Sequence, residues 1–224
     1  MLIASLVTAQ RRAALRVSTL AWQLPGCMTS RMAVRLDRIT TRTGDDGTTG
    51  LADGSRLSKD HALIQAIGAV DEIGCLLGML RLQNLPEAIG SEVPRLQNDL
   101  FDLGGDLATP PGGAHEERIP RISPSQVGRL DLALAMTNVD LPPLSSFVLP
   151  GGSPAASWLH LVRVCVRRAE REVVAAIHAM PARHFNPEIV RYLNRLSDLC
   201  FVWSRRCNAV DGRGDILWSP GLTR

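Results

Sequence analysis

Residues 155–180 read AASWLHLVRVCVRRAEREVVAAIHAM, and Leu159, Val162, Val166, Ala169, Val173 and Ile177 recur through them at spacings of three and four. Such a run is one long helix with a single buried stripe. Pro181 ends it, because a proline lacks the amide that the next helical turn needs. The same period appears on either side. Leu63, Ile67, Val70, Ile73, Leu77 and Leu80 mark a helix over about 60–83, with Asp60 as its expected cap. Val93, Leu96, Leu100, Leu103 and Leu107 mark a second over about 91–108, stopped by Pro110-Pro111-Gly112-Gly113. A third runs from Ser123-Pro124 to about Asn138, with serine as cap and proline at the first helical position. The last, about 187–209, carries Ile189, Leu193, Leu196, Cys200 and Trp203. Five helices with short connections predict an all-α fold, a five-helix antiparallel bundle.

Composition agrees. The chain has 224 residues, 45% of them hydrophobic, enough for a real core. Nine aromatic residues offer little to a β-sandwich or to a protein that stacks nucleic-acid bases. The formal charge of +3 comes from 25 basic and 22 acidic side chains. Four of the bases, Arg11, Arg12, Arg16 and Arg31, lie in an acid-free stretch over 1–31. Without them the balance is about neutral, so no nucleic-acid partner is expected. The organisation reads as a leader over 1–31, a loop over 32–59 and the bundle over 60–219, the last two forming one domain. The leader matches the composition of a mitochondrial presequence and also that of translated upstream DNA before a start at Met32. A cytoplasmic protein is expected in the second case and a mitochondrial-matrix one in the first. No apolar run is read as reaching the roughly 18–20 residues of a membrane span, so no membrane partner is expected. Cys27, Cys75, Cys165, Cys200 and Cys207 lack metal-like spacing and read as reduced core thiols.

Three motifs carry chemistry. Just before the bundle stands Thr40-Thr41-Arg42-Thr43-Gly44-Asp45-Asp46-Gly47-Thr48-Thr49-Gly50. Its glycines allow close backbone approach, and its hydroxyls, amides and Arg42 suit phosphate oxygens. A Gly/Asp turn or a calcium loop would have the same composition. It is not a Walker A loop, since Gly44 and Gly47 are misplaced for one. Downstream lies Lys59, the single lysine against 24 arginines, which suits a point charge on a phosphate. On the long helix, Arg163, Arg167, Glu170 and Arg171 share a face, which reads either as a solvated charged face or as a polyphosphate site. On the last helix, Asn194-Arg195-Leu196-Ser197-Asp198 interrupts an apolar repeat with polar residues.

Taken with F-x-L-P-G-G (Phe147 to Gly152), V-D-E (Val70 to Glu72) and R-R-A-E-R-E (Arg167 to Glu172), these motifs resemble the PduO-type ATP:cob(I)alamin adenosyltransferases over about residues 34–219. The resemblance implies a homotrimer with active sites between subunits, transferring the 5′-deoxyadenosyl group of ATP to cob(I)alamin and releasing triphosphate. It implies that Thr41, Arg42, Thr43, Gly44, Asp45, Thr48, Thr49 and Lys59 hold ATP with Mg2+ from one chain. Arg167, Arg168, Glu170, Arg171 and Asn194 would complete the pocket from the next, with Arg167, Arg171 and Asn194 in the catalytic role. It further implies an intersubunit salt bridge from Asp71 to Arg167 and Phe147 against the lower face of cobalamin. A reductase and a B12-dependent acceptor enzyme are the partners it suggests. Gly74, Trp203, Arg206 and Cys207 depart from the family pattern. Two other readings compete. A non-catalytic corrinoid or nucleotide carrier would not need the whole phosphate loop together with Lys59, Arg171 and Asn194. A di-metal carboxylate bundle needs Glu-x-x-His pairs, and none occurs in the chain. The histidines, His160 first among them, therefore read as packing or surface residues, and no protein metal site is expected.

Overall fold

The computed structural model describes residues 39–112, 116 and 119–223, and the expectations for the leader and Cys27 lie outside them. The chain divides into two units, Met1–Thr41 and Arg42–Arg224. In the first, the described residues 39–41 are exposed and carry no helix or strand. The second begins with β1 (Thr48–Gly50) and β2 (Arg56–Ser58), followed by α1 (Ala62–Leu80), α2 (Glu87–Ala108), α3 (Pro124–Asn138), α4 (Pro154–Ala179) and α5 (Glu188–Val210). The five helices match the periodic segments.

Their directions follow from contacts at known levels. Gly74 of α1 meets Gln97 of α2 at its carbonyl, and Asp99 and Asp106 of α2 meet Gln126 and Ile122 beside α3. Those pairs run antiparallel, as do α1 with α4 and α4 with α5. The pair α3 and α5 runs parallel: the Ile122 carbonyl accepts from Asn186, Asp131 pairs with Arg195, and the Pro142 carbonyl accepts from Arg205. The antiparallel expectation is corrected here for a geometric reason. Each short connection reverses the chain, so α3 and α5 point the same way, and α3 packs against α5.

Leu63, Ile73, Leu77, Leu96, Leu103, Leu159, Val166, Val173, Leu193 and Leu196 fill the core and are wholly inaccessible. By length and composition α1 would pass for a membrane span, correcting the sequence expectation. Its buried residues, Leu63 to Leu80, belong to the protein core, and its polar face carries Asp71 and Glu72. The cap of α1 is His61, whose ring accepts from the Leu63 amide at 3.1 Å, not Asp60, whose carboxylate accepts from Ser58. Helix α2 starts a turn earlier than its periodicity suggested and carries Pro94 inside it. Its buried face, from Ile89 and Val93 to Leu107, packs the helix despite the amide that Pro94 lacks. In α3 the expected serine start holds, with the Ser123 amide donating to Gln126 Oε1 at 2.9 Å.

Two acids on the inner face of α2 are the polar bolts of the bundle. Asp99 accepts from the Tyr192 hydroxyl at 2.7 Å, from Gln126 at 2.9 Å and from Arg129. One turn pair later, Asp106 accepts from Arg121 at 2.8 Å, the Ile122 amide at 3.0 Å and Asn186 at 2.7 Å. Trp203 and Cys207, the departures on α5, are simply buried there, whereas Cys75 is exposed instead of lying in the core. Burial pushes the Cys200 thiol up to about 12 and that of Cys207 up to about 11, which keeps both protonated.

Candidate functional site

The phosphate-cradle candidate is a loop locked onto a short hairpin that the sequence reading missed. Thr48 pairs with Ser58, Thr49 with Leu57 and Gly50 with Arg56. The signal was legible: Asp53-Gly54 is a turn dipeptide between two short β-compatible runs, with Gly54 at φ +84°. The hairpin positions Arg56, which the sequence reading also passed over. Its Nε and Nη2 donate to Thr48 Oγ1 at 3.0 and 2.6 Å, and Nη2 donates to the Thr43 carbonyl at 2.5 Å. Asp46 closes the same knot by accepting from the Thr48 amide and hydroxyl at 2.9 and 2.8 Å. Those two hydrogen bonds hold its carboxyl below the usual range. Thr48 therefore has its hydroxyl committed to the loop itself.

Lys59 follows β2 and folds back, its ammonium donating to the Gly44 carbonyl at 2.8 Å. A Cβ on Gly44 would stand 3.1 Å from both Lys59 Nζ and the Thr48 carbonyl, so a larger residue there would push the ammonium or the loop aside by a few tenths of an ångström. Two of the three ammonium donors remain for a ligand. Arg42 holds φ at 59°, a left-handed conformation that residues carrying a Cβ seldom adopt, and strain of this kind collects in ligand-binding loops. Asp45 and Arg42 are exposed beside it, while Thr49 is half-buried.

The arginine row lies on α4. Arg167 and Arg171 are exposed, and Arg163 and Glu170 half-buried. Asn194 of α5 donates to Glu170 Oε1 at 3.1 Å, which ties the polar patch of α5 to the row. Arg171 donates to the Arg167 carbonyl at 3.2 Å, one turn back. Arg168 is the exception among the expected residues. One position on from Arg167, it turns about 100° round the helix toward α1, where it pairs with Glu72. It ties two helices of one chain and stands off the row. Asp71 points elsewhere again, into a groove of about 510 Å3 between α1 and α2 that Gly74 and Phe101 also line. Within one chain it does not meet Arg167.

Phe147 is 78% exposed. Its segment pairs with the chain's C-terminal stretch: the Trp218 amide donates to the Phe147 carbonyl at 2.7 Å, and the Leu149 amide to the Ile216 carbonyl at 2.8 Å. The Trp218 ring stands edge-on to Phe147 at 6.1 Å, so an exposed aromatic pair replaces the single ring expected. Two anchors hold this platform. Arg205, almost wholly buried, donates to Asp215 at 2.7 Å and to the Pro142 carbonyl at 2.6 Å. Gly152, at φ +106°, leaves room for Asn208, whose Oδ1 accepts from the Ser153 amide at 2.9 Å; any Cβ there would collide with it.

The three parts are not gathered at one point of the chain. The hairpin joins the bundle where α1 begins and α4 ends, with Leu57, His61, Ala179 and Met180 around one cleft. The aromatic platform is held at the opposite end, where α4 begins. Between them runs a 26-residue helix, about 39 Å long at 1.5 Å per residue, with the arginine row midway. Among the described residues no three His, Cys, Asp or Glu side chains converge as a metal cage.

A family model described as cobalamin adenosyltransferase matches residues 39–207. The corrinoid adenosyltransferase of Mycobacterium bovis is 47% identical over 194 residues, covering 86% of this chain and 98% of its own. The cobalamin adenosyltransferase of Cupriavidus metallidurans is 46% identical over 188 residues, covering 84% and 97%. Among solved structures, a variant of the PduO-type ATP:corrinoid adenosyltransferase from Lactobacillus reuteri, complexed with cobalamin and ATP, superposes with a TM-score of 0.73. It is 31% identical and covers 81% of this chain and 99% of its own.

Proposed function

The chain belongs to the cobalamin adenosyltransferase family, and we propose that the loop of one copy and the arginine row of a neighbour close around ATP in a homotrimer. Its activity is the ATP-dependent transfer of an adenosyl group to cobalamin. The observation that carries the shared site is the separation just described. The loop and the aromatic platform stand at opposite ends of α4, so a single chain does not offer both to one pair of reactants. A ring of copies arranged head to tail brings one end of each subunit to the other end of the next. Asp71 and Arg167, both exposed and on different faces, are then placed to pair between copies.

In this reading Lys59, the loop amides, Thr43 and Thr49 hold the triphosphate from one side, and Arg167 and Arg171 from the other. Asn194 and Glu170 fix the direction of the row. Cob(I)alamin attacks the 5′ carbon: the cobalt–carbon bond forms, the carbon–oxygen bond breaks, and triphosphate leaves with the electron pair. No general base is required, because the nucleophile is already the electron-rich cobalt. What the protein supplies is positioning and positive charge on the leaving group. Without a convergent acidic cage in the described residues, Mg2+ would arrive on the nucleotide's phosphates, with Asp45 as an exposed acid of the same loop, and would neutralise part of their charge. Phe147 and Trp218 present an apolar face to the lower side of the corrin, which disfavours a polar ligand reaching cobalt from below.

Two measurements test this. Purified protein with ATP, magnesium and chemically reduced cobalamin under anaerobic conditions should give the spectrum of adenosylcobalamin; no cobalt–carbon bond formation would refute the activity. Separately, Lys59→Ala and Arg171→Ala should each be nearly inactive alone, yet unfolded and refolded together they should recover activity from mixed trimers. Absence of recovery in verified mixed assemblies would refute the shared site.

A further inference from the structure

Of the eight buried side-chain polar atoms that make no hydrogen bond among the described residues, four fall in one place: both ring nitrogens of His160, Nε of Arg163 and Oδ1 of Asp215. His160 is 4% exposed and sits one turn before Arg163 on α4. Its ring stands edge-on to Phe201 at 6.3 Å, and the Arg163 guanidinium lies 6.0 Å from the centre of that same ring. The α4 imidazole and guanidinium thus share one apolar wall supplied by α5. Asp215 arrives from the C-terminal segment with Oδ2 held by Arg205 and Oδ1 left over. Its charge acts on His160.

Native interiors seldom leave such groups unpaired, and these four are complementary. A carboxylate oxygen accepts, a guanidinium N–H donates, and a neutral imidazole does one of each. Burial first, then the neighbouring Arg163 charge, pushes His160 below its usual range, against the opposing pull of Asp215, so the ring is neutral at pH 7. A chain in which Arg163 donates to His160 and His160 donates to Asp215 uses all four atoms.

We infer that His160 is a positioning residue that joins the C-terminal segment to the arginine row through a hydrogen-bond chain Arg163–His160–Asp215, made directly or through a bridging water. Asp215 stands three residues before Trp218, so the chain fixes the aromatic platform relative to the row that faces the triphosphate. The structural link stands by itself; its meaning for corrin binding rests on the function proposed above.

Amide hydrogen exchange on the ligand-free protein tests the structural link. The probes are Trp218 and Leu149, whose amides pair the two strands of the platform. His160→Leu fills the space but can neither donate nor accept, whereas His160→Gln can do both. The Leu variant should speed exchange at these two amides about tenfold, the loss of roughly one net hydrogen bond, with α5 unchanged. The Gln variant should stay within about twofold of the parent. Unchanged exchange in the Leu variant, or equal acceleration in both, would overturn the chain in favour of simple packing. Should the Leu variant not fold, 15N shifts of the His160 ring in the unaltered protein decide the matter. One fixed neutral tautomer is expected, and rapid averaging of two would overturn the inference. In steady-state assays the Leu variant should raise KM for cobalamin about tenfold with KM for ATP and kcat little changed. Faster exchange with an unchanged cobalamin KM would leave the chain standing and refute its role at the corrin platform.

Discussion

Replacing Arg56 by Met should weaken ATP binding about tenfold while leaving the bundle and cobalamin binding as they are. The side chain makes three hydrogen bonds, two to Thr48 Oγ1 and one to the Thr43 carbonyl, and its charge lies 3.7 Å from Asp46. It is 42% exposed, so each bond belongs at the weak end of net hydrogen-bond strength, about 0.5 kcal/mol. Three of them contribute about 1.5 kcal/mol to the ordered loop, and 1.4 kcal/mol is a factor of about ten in binding. Met keeps the apolar stem and removes every donor together with the charge beside Asp46, an exposed pair that adds little to the loss. The melting temperature should hardly move, because the hairpin is peripheral to the core. Calorimetric titration with a non-hydrolysable ATP analogue gives the affinity, and a parallel titration with cobalamin gives the control. Unchanged nucleotide affinity would refute the role of the hairpin as the loop's anchor. Equal losses for both ligands would show that Arg56 acts on the fold and not on the cradle.

Other outcomes follow from the same geometry. Arg171→Ala should lose at least about a hundredfold in kcat with the assembly intact, as expected for a charge aimed at a leaving group, whereas Arg167→Ala should weaken both turnover and assembly; sedimentation beside the activity assay separates them. Phe147→Ala, at so exposed a position, should change stability by less than about 0.5 kcal/mol in thermal unfolding, yet sharply lower the yield of adenosylcobalamin from cob(II)alamin with a reductant. Asp99→Ala would leave Arg129 and the Tyr192 hydroxyl without their buried acceptor, a loss of about 3–5 kcal/mol and a fall in Tm of roughly 10 °C by calorimetry. The folded Asp46 carboxyl titrates below 3.8, so its support of the loop is complete above that value and disappears only as pH falls through the lower, folded pKa. The titration of Asp46 should therefore leave nucleotide affinity unchanged between pH 5 and 7, and an Asp46→Asn variant should differ from the parent by a constant amount across that window.

Much of this protein was legible before any coordinates. The three-and-four spacing of Leu159 to Ile177, and its counterparts on the other helices, determined five helices and which side of each is buried, because an amphipathic helix carries its own burial in its period. The motif set determined the family, since Gly44, Gly47, Lys59, Arg171 and Asn194 are recognisable as types at fixed spacings. Other features have no local signature. That α3 and α5 run parallel follows from α3 packing against a helix two further along the chain, a choice made by the whole fold. Asp99 and Asp106 read as ordinary helix acids until Tyr192, Arg129, Arg121 and Asn186 arrive from far along the sequence. Adjacent residues were divided in the same way: Arg167 faces outward while Arg168 is taken by Glu72, because a step of about 100° round a helix means nothing until the neighbouring helix is in place. Trp218 and Asp215 lie beyond the periodic segments and gain their roles only when the C-terminal stretch pairs with Phe147 and Leu149. Periodicity and residue type determined what each element is made of; tertiary packing decided what each side chain meets, because contacts between residues distant in sequence depend on helix order and direction, which no single segment encodes.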